Sequence, residues 1–247
     1  MSKNFYEGKI NIFFPWDLPD KISSPAVMFD VVAASHNIAY LVNRVKELYV
    51  VTKVNVREAL RLIPDGVLIG ESDDEQLRNE LQDKFIFNNT ASSIAKADVG
   101  GKKVILITNN GTHTLSELWD KGARPIILAG YANLQTVVDW LLKETIYEEM
   151  ITLVPSGGRE KIFSANPNLV EDFLCARAAE SLMRGIMPNF EEDFIKAKEF
   201  IDQYYPKDWP TKEADLALIF TNKNLYPVVP VCLKHENGLL YIKNINR

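Results

Sequence analysis

The chain has 247 residues, of which 47% are hydrophobic, and its formal net charge at pH 7 is −5. This length and apolar content can supply the core of one large domain or of two small ones. The acidic balance excludes the basic stripe that a nucleic-acid-binding protein needs, so we expect a small partner and no nucleic acid.

Cysteine usage and the N-terminal residues predict the cellular compartment. Cys175 and Cys232 lie far apart, in a spacing that matches no metal-binding motif. The N-terminal segment has no apolar signal core with a small-residue cleavage site, and no apolar run approaches the roughly 20 residues that cross a bilayer. We therefore expect a cytoplasmic protein with reduced thiols and no membrane partner. The oligomeric state stays open, a homodimer included.

Short apolar runs alternate with helical patterns along the chain. The strand candidates are 26–32, 48–51, 66–70, 103–108, 125–130 and 150–156. The helix candidates are 38–48, 56–63, 72–82, 115–119, 134–142, 168–184 and 191–204. This alternation predicts a three-layer α/β/α fold with a largely parallel or mixed sheet. We expect one α/β unit over residues 1–247, with a C-terminal subdomain from about residue 189 as the alternative.

The last apolar run, residues 226–233, contains two prolines, Pro227 and Pro230. Proline has no backbone N–H to donate to a neighbouring strand, so prolines are rare in central strands. We therefore predict an edge strand for this segment.

Polar residues cluster where the predicted strands end. In open α/β sheets, ligands bind outside the carboxyl ends of the strands. If the strands are parallel, the residues after them share one edge of the sheet. These residues are Asp30 and Ser35, then Glu71, then 108–114, then Ser156, Gly157, Gly158 and Arg159.

This set has the parts that phosphate-ester chemistry needs. Two carboxylates, Asp30 and Glu71, suit a hard divalent cation such as Mg²⁺, which keeps several waters and shares phosphate oxygens. Helix N-termini offer free N–H groups to anions. The sequence therefore predicts a magnesium and phosphate site at this edge.

Structural explanations for several of these residues remain open. Asp30 can simply begin a turn, and residues 109–111 can form only a tight turn, because Asn and Gly tolerate positive φ. The spacing of Thr114 and Glu117 matches a capping box, so we predict caps there. Glu171 follows Asn168 at the same spacing, which leaves it as either a cap or a site residue.

Three common templates are missing from the sequence. The chain has no G-x-G-x-x-G dinucleotide fingerprint, no G-x-x-x-x-G-K-[ST] phosphate loop and no G-x-S-x-G nucleophile elbow. These absences disfavour dinucleotide enzymes, P-loop nucleotide hydrolases and serine hydrolases of the elbow type.

The order and spacing of five segments resemble the 2-phosphosulfolactate phosphatase family, which serves coenzyme M biosynthesis. The family's Asp-Val-Leu-Arg-Ala-Thr, Gly-Glu-Arg, Asn-Ser-Pro, Thr-Thr-Asn-Gly-Thr and Glu-Asp motifs each have a counterpart here. The counterparts are 30–35, Gly70-Glu71-Ser72, Asn89-Thr90-Ala91, 108–112 and Glu171-Asp172.

The resemblance implies a Mg²⁺-dependent phosphatase with a three-layer architecture that hydrolyses 2-phosphosulfolactate or a related ester. Asp30 and Glu71 would be the metal ligands and the catalytic residues. The other implied or candidate substrate-binding residues are Ser35, Asn89, Asn110, Gly111, Thr112, Gly157, Arg159 and Glu171.

The chain departs from the family pattern at two arginines, which are replaced by Ala33 and Ser72. Arginine binds phosphate or sulfonate through several donors, and neither replacement can do so. Arg159 is a candidate for compensation. An alternative function is therefore a non-catalytic small-anion-binding or assembly protein that keeps the phosphatase fold.

Overall fold

The computed structural model describes most of the chain. The described residues are 5–32, 34–70, 79–81, 85–87, 89–108, 110–144, 150–157, 170–205, 207–220 and 224–246.

Ten strands within these ranges form one mixed sheet, in the order β1-β8-β2-β7-β9-β10-β3-β6-β4-β5. Each of the six predicted strand runs before residue 157 contains one of them. Their bounds are β1 (Ile10–Ile12), β2 (Ala26–Phe29), β3 (Glu47–Val51), β4 (Val67–Gly70), β5 (Phe85–Phe87), β6 (Lys103–Ile107), β7 (Ile126–Ala129), β8 (Ile151–Pro155), β9 (Pro230–Glu236) and β10 (Leu239–Asn244).

Helices connect most of these strands. The α-helices of the described residues are α1 (Ala34–Leu41), α2 (Val56–Leu62), α3 (Ala91–Ile94), α4 (Asn110–Asp120), α5 (Leu134–Glu144), α6 (Glu171–Met183), α7 (Phe190–Tyr204) and α8 (Lys212–Phe220). Two 3₁₀ turns lie at Pro15–Asp17 and Lys53–Asn55. The predicted helix at 72–82 falls largely outside the described residues. No helix among those described is long and apolar enough to cross a membrane.

The sheet consists of two parallel groups joined by the hairpin of β9 and β10. Strands β1, β8, β2 and β7 are mutually parallel, and so are β3, β6, β4 and β5. Three antiparallel pairings, β7 with β9, β9 with β10 and β10 with β3, separate the groups. Because three is odd, the two groups run in opposite directions. The residues that follow the strands therefore do not all share one edge, as a single strand direction would require.

The edge position predicted for residues 226–233 is wrong. Strand β9 lies in the middle of the sheet, between β7 and β10. Pro230 is the first residue of β9 and Pro227 precedes the strand, so neither proline interrupts the ladder.

Apolar side chains bury both faces of the sheet, as strand β2 illustrates. Val27 and Phe29 pack into a core with residues of α5, α6, α7 and α8. Ala26 and Met28 point to the opposite face and pack with residues of α1 and α4. Strands covered on both faces read as continuous apolar runs, which explains why the sequence located them. The three-layer α/β/α prediction is confirmed.

Candidate functional site

Asp30 lies directly after β2, in the turn that leads into α1. Its backbone N–H donates to Ser35 Oγ over 2.9 Å, and the Ser35 N–H donates back to the Asp30 carbonyl over 2.8 Å. Both residues are buried, Asp30 with 8% of its surface exposed. Ser35, a predicted substrate-binding residue, therefore closes the turn that places Asp30 at the end of its strand.

Asp172, in the first turn of α6, joins the ends of two strands. Its Oδ1 accepts the Val31 N–H over 2.7 Å, and its Oδ2 accepts the Gly157 N–H over 3.3 Å. Val31 follows Asp30, and Gly157 lies just beyond β8. The carboxyl ends of β2 and β8 and the N-terminus of α6 consequently meet at one place.

Glu171, the neighbour of Asp172, is bound by an aromatic residue distant in sequence. The Tyr205 hydroxyl donates to Glu171 Oε1 over 2.5 Å. Glu171 is 2% exposed, and its Oε2 has no hydrogen-bond partner among the described residues. Helix α6 begins at Glu171, and its N-cap residue Val170 makes no side-chain cap bond. Glu171 therefore occupies the first helical position and faces Tyr205. Asn168, the predicted partner in a cap, lies outside the described residues.

The electrostatics show that these carboxyl groups share a dry environment. Burial raises the pKa of Asp172 well above its usual range, and the nearby Glu171 and Asp30 carboxylates raise it further. Burial also raises the pKa of Glu171, although the Tyr205 hydrogen bond opposes that rise. Like charges this close in a low-dielectric site need protons or a cation to coexist.

Helix α4 brings a glycine against Asp30. A Cβ added to Gly111 would lie 2.5 Å from Asp30 Oδ2 and 3.1 Å from Ala34 Cβ. Only glycine allows this close approach of the helix backbone to the carboxylate. The packing of α4 on β2 thus unites Gly111 and Asp30, although they follow strands that run in opposite directions.

The polar residues beside Gly111 take different roles in α4. Asn110 begins the helix and is exposed, whereas Thr112 is buried. The Thr112 hydroxyl donates to the Thr108 carbonyl over 2.5 Å, so its proton is engaged within the chain. The anion donors that this segment can offer are therefore the backbone N–H groups of its first turn.

The cap prediction for Thr114 and Glu117 is wrong, because α4 begins four residues before Thr114, at Asn110. The apolar spacing of 115–119 misplaced the start of the helix. The Thr114 side chain instead lies 3.1 Å from Ser156 Oγ and donates to the Ser156 carbonyl over 3.2 Å. This contact attaches α4 to the residue that follows β8.

Asn89 lies in a second buried polar group beside α1. Asn37, on α1, donates to the Asn89 carbonyl over 3.0 Å and to Asn89 Oδ1 over 2.5 Å. Asn89 Nδ2 has no hydrogen-bond partner among the described residues. It therefore remains a donor that a ligand or a water molecule can use.

The same region contains Asp215 and His36. Asp215 accepts the Ser92 N–H over 2.6 Å and bonds from Trp209 and Thr211. Burial lowers the pKa of His36 to about 4, against an opposing effect of Asp215. His36 is thus a neutral, buried histidine at pH 7.

Contacts link Asp30, Ser35, Gly111, Gly157 and Glu171 around the end of β2. Glu71 and Arg159, together with Ala33 and Ser72, lie outside the described residues. The predicted sharing of one ion by Asp30 and Glu71 thus stays a prediction.

Sequence reasoning missed two residues at this place, Asp172 and Tyr205. Asp172 stands in the quoted Glu-Asp pair, a signal that was available, but only Glu171 was weighed. Tyr205 follows α7 and carries no motif, so only the packing of α7 on α6 brings it to Glu171.

The donor set suits a hard cation, because carboxylate oxygens dominate it. Within the described ranges, however, no group of three His, Cys, Asp or Glu residues has a geometry that could hold a metal ion. A magnesium site here would therefore need a ligand beyond them, and Glu71 is the candidate.

Comparison with known proteins decides the family. The family model described as 2-phosphosulpholactate phosphatase matches residues 13–232. The chain belongs to the 2-phosphosulpholactate phosphatase family. This is a family of phosphoric monoester hydrolases, and the predicted resemblance is confirmed.

Individual relatives show that this is a divergent member of the 2-phosphosulpholactate phosphatase family. A probable 2-phosphosulfolactate phosphatase of Thermotoga petrophila is 27% identical over 88% of this chain and 92% of its own length. The 2-phosphosulfolactate phosphatase of Methanocaldococcus jannaschii is 29% identical over 72% of this chain and 70% of its own. A probable 2-phosphosulfolactate phosphatase of Caldicellulosiruptor saccharolyticus is 27% identical, and the match spans 66% of that relative. These matches do not favour the non-catalytic alternative.

Proposed function

We propose that this chain is a Mg²⁺-dependent phosphatase that hydrolyses a small phosphate monoester, 2-phosphosulfolactate or a closely related ester. The observation that carries the proposal is the contact of Asp30 with the first turn of α4. This contact sets a carboxylate beside helix N–H groups, which are the two functions that a metal and a phosphate need side by side.

Each part of the site has a role in this proposal. Asp30 and Glu71 hold Mg²⁺, which supplies charge neutralisation of the phosphate oxygens when it is bound. The N–H groups of Gly111 and Thr112 bind the phosphate, and Asn110 lies at the exposed start of the same turn. Arg159 supplies a positive charge on the loop after Gly157.

The carboxylate cluster supports a cation independently of the family. Asp172 has a raised pKa because Glu171 and Asp30 are close to it in a buried place. A divalent cation near Asp30 would relieve that repulsion.

The test is phosphate release by purified, metal-stripped protein with 2-phosphosulfolactate and with an aryl phosphate, titrated with Mg²⁺. We expect turnover that requires Mg²⁺, and Asp30→Asn should lower kcat/KM at least about 100-fold, near 2.7 kcal/mol of transition-state stabilisation. Asp98→Asn is the control, because its side chain is 96% exposed. No Mg²⁺-dependent turnover of either ester, or an active Asp30→Asn variant, would refute the proposal.

A further inference from the structure

Asp172 continues the link between β2 and β8 beyond the point where their ladder ends. The last paired residues of the two strands are Phe29 and Pro155, and the Ser156 N–H donates to the Phe29 carbonyl over 2.7 Å. After this bond the two chains diverge. The Asp172 carboxylate then holds the next backbone N–H of each, at Val31 and Gly157.

We propose that Asp172 is a positioning residue, which fixes the backbone on both sides of the site so that Asp30 and the segment at Gly157 keep their separation. The inference rests on the proposed function, because turnover is one of its readouts. Ser35 holds the Asp30 N–H and Asp172 holds the Val31 N–H, so both amides that frame the Asp30 carboxylate are fixed by side chains.

A charged side chain is an expensive choice for this task. Asp172 is 4% exposed and lies near two other carboxylates. Elsewhere the chain performs the same task with a neutral amide. Asn244, also 4% exposed, accepts the Val229 and Asn246 N–H groups through its Oδ1 over 2.9 and 3.1 Å.

The comparison explains what the charge adds. Hydrogen bonds from N–H to a carboxylate are roughly twice as strong as bonds between neutral groups, and two oxygens hold two strand ends separately. A rigid hold matters most where a displacement of about 1 Å can lower turnover about 100-fold. Position beside Asp30 thus accounts for the carboxylate at residue 172.

The experiment compares Asp172→Ala with Asn244→Ala. Both variants leave two backbone N–H groups without a side-chain acceptor, and Asn244 lies on β10, three strands away from β2. Asp172→Asn, which keeps the shape and one acceptor, serves if the alanine variant fails to fold. The measurements are kcat, KM, the free energy of unfolding and amide hydrogen exchange at Val31 and Gly157.

We expect Asp172→Ala to lower kcat at least about 30-fold with little change in KM, and to speed exchange at Val31 and Gly157. Asp172→Asn should fall between this variant and the wild type. Asn244→Ala should lose stability yet keep kcat per folded molecule within about 3-fold.

Equal effects of the two alanine variants on kcat, or unchanged exchange at Val31 and Gly157, would overturn the proposal. Failure of the proposed function is a different result, because the wild type itself would then lack turnover. That result removes the catalytic part of the inference, whereas the exchange rates still decide whether Asp172 holds the two strand ends.

Discussion

Gly111 lies so close to Asp30 that a methyl group at position 111 would stand 2.5 Å from the carboxylate oxygen Oδ2. The first turn of α4 therefore presents its backbone to a carboxylate with no side chain between them. The positive end of the helix dipole favours this charge.

Gly111→Ala should displace the Asp30 carboxylate, because the added Cβ also meets Ala34 Cβ at 3.1 Å and cannot move aside. We expect a loss of about 1–3 kcal/mol in the free energy of unfolding from overpacking. Phosphate release should fall at least about 30-fold, since the carboxylate leaves its position. Gly100→Ala is the matched control, because a Cβ there meets nothing within 4 Å. Normal turnover in Gly111→Ala would show that the contact has no catalytic meaning.

Tyr205→Phe tests the buried bond to Glu171. The variant leaves Glu171 Oε1 without its donor in a site closed to water, so it should cost about 1.5–3 kcal/mol of the free energy of unfolding. Tyr49→Phe removes a similar bond to Glu47, of 2.7 Å, in a more exposed place and should change stability by no more than about 0.5 kcal/mol. Urea unfolding of both variants checks this. Similar losses in the two would contradict the assigned burial of the Glu171 bond.

His36 should make stability depend on pH below neutrality. Its pKa is 6.5 in the unfolded chain and about 4 in the fold, because burial disfavours the charged ring. Between these values the unfolded chain binds more protons. The stabilisation is therefore complete above pH 6.5 and is lost as pH falls toward 4, by about 3 kcal/mol in total.

The measurement for His36 is urea unfolding of wild type and His36→Gln at intervals from pH 7.5 to 4. The difference in unfolding free energy between the two proteins should shrink across this window. His113→Gln is the control, because His113 is exposed on α4. A difference that does not vary with pH would refute the assignment of a buried, neutral His36.

Substrate preference should reflect the arginines that are replaced by Ala33 and Ser72. A phosphosulfolactate carries about three unit charges close together, and their attraction to missing cations is worth kcal/mol even at an effective dielectric constant near 20. We expect its kcat/KM to exceed that of phospholactate by less than about 100-fold, near 2.7 kcal/mol. Ser72→Arg should raise this ratio. A larger ratio in the wild type would mean that other donors replace the arginines.

The sequence predicted most strands because their apolar runs are buried on both faces, as at 26–29 and 104–107. It misplaced β9 because Pro227 and Pro230 suggest an edge, whereas Pro230 only opens a central strand. It also missed the opposed strand directions, since pairing between distant segments leaves no local pattern.

For the site, the motifs located Asp30, Gly111 and Glu171, whose neighbours the structure then supplied. The role of Asp172 depends on N–H groups at Val31 and Gly157, which no side-chain pattern reveals. Tyr205 depends on helix packing alone. Local chemistry was therefore readable, and the geometry that joins distant segments was not.

The hairpin of β9 and β10 also determines when the sheet can be completed during synthesis. All eight strands of the two parallel groups lie before residue 156, and the two strands that join them lie after residue 229. A nascent chain that has emerged only as far as β8 therefore carries two separate half-sheets with open edges at β7 and β3. Such edges invite pairing with other chains. We expect newly made protein to be most prone to aggregation, and most dependent on chaperones, while the ribosome translates α6, α7 and α8.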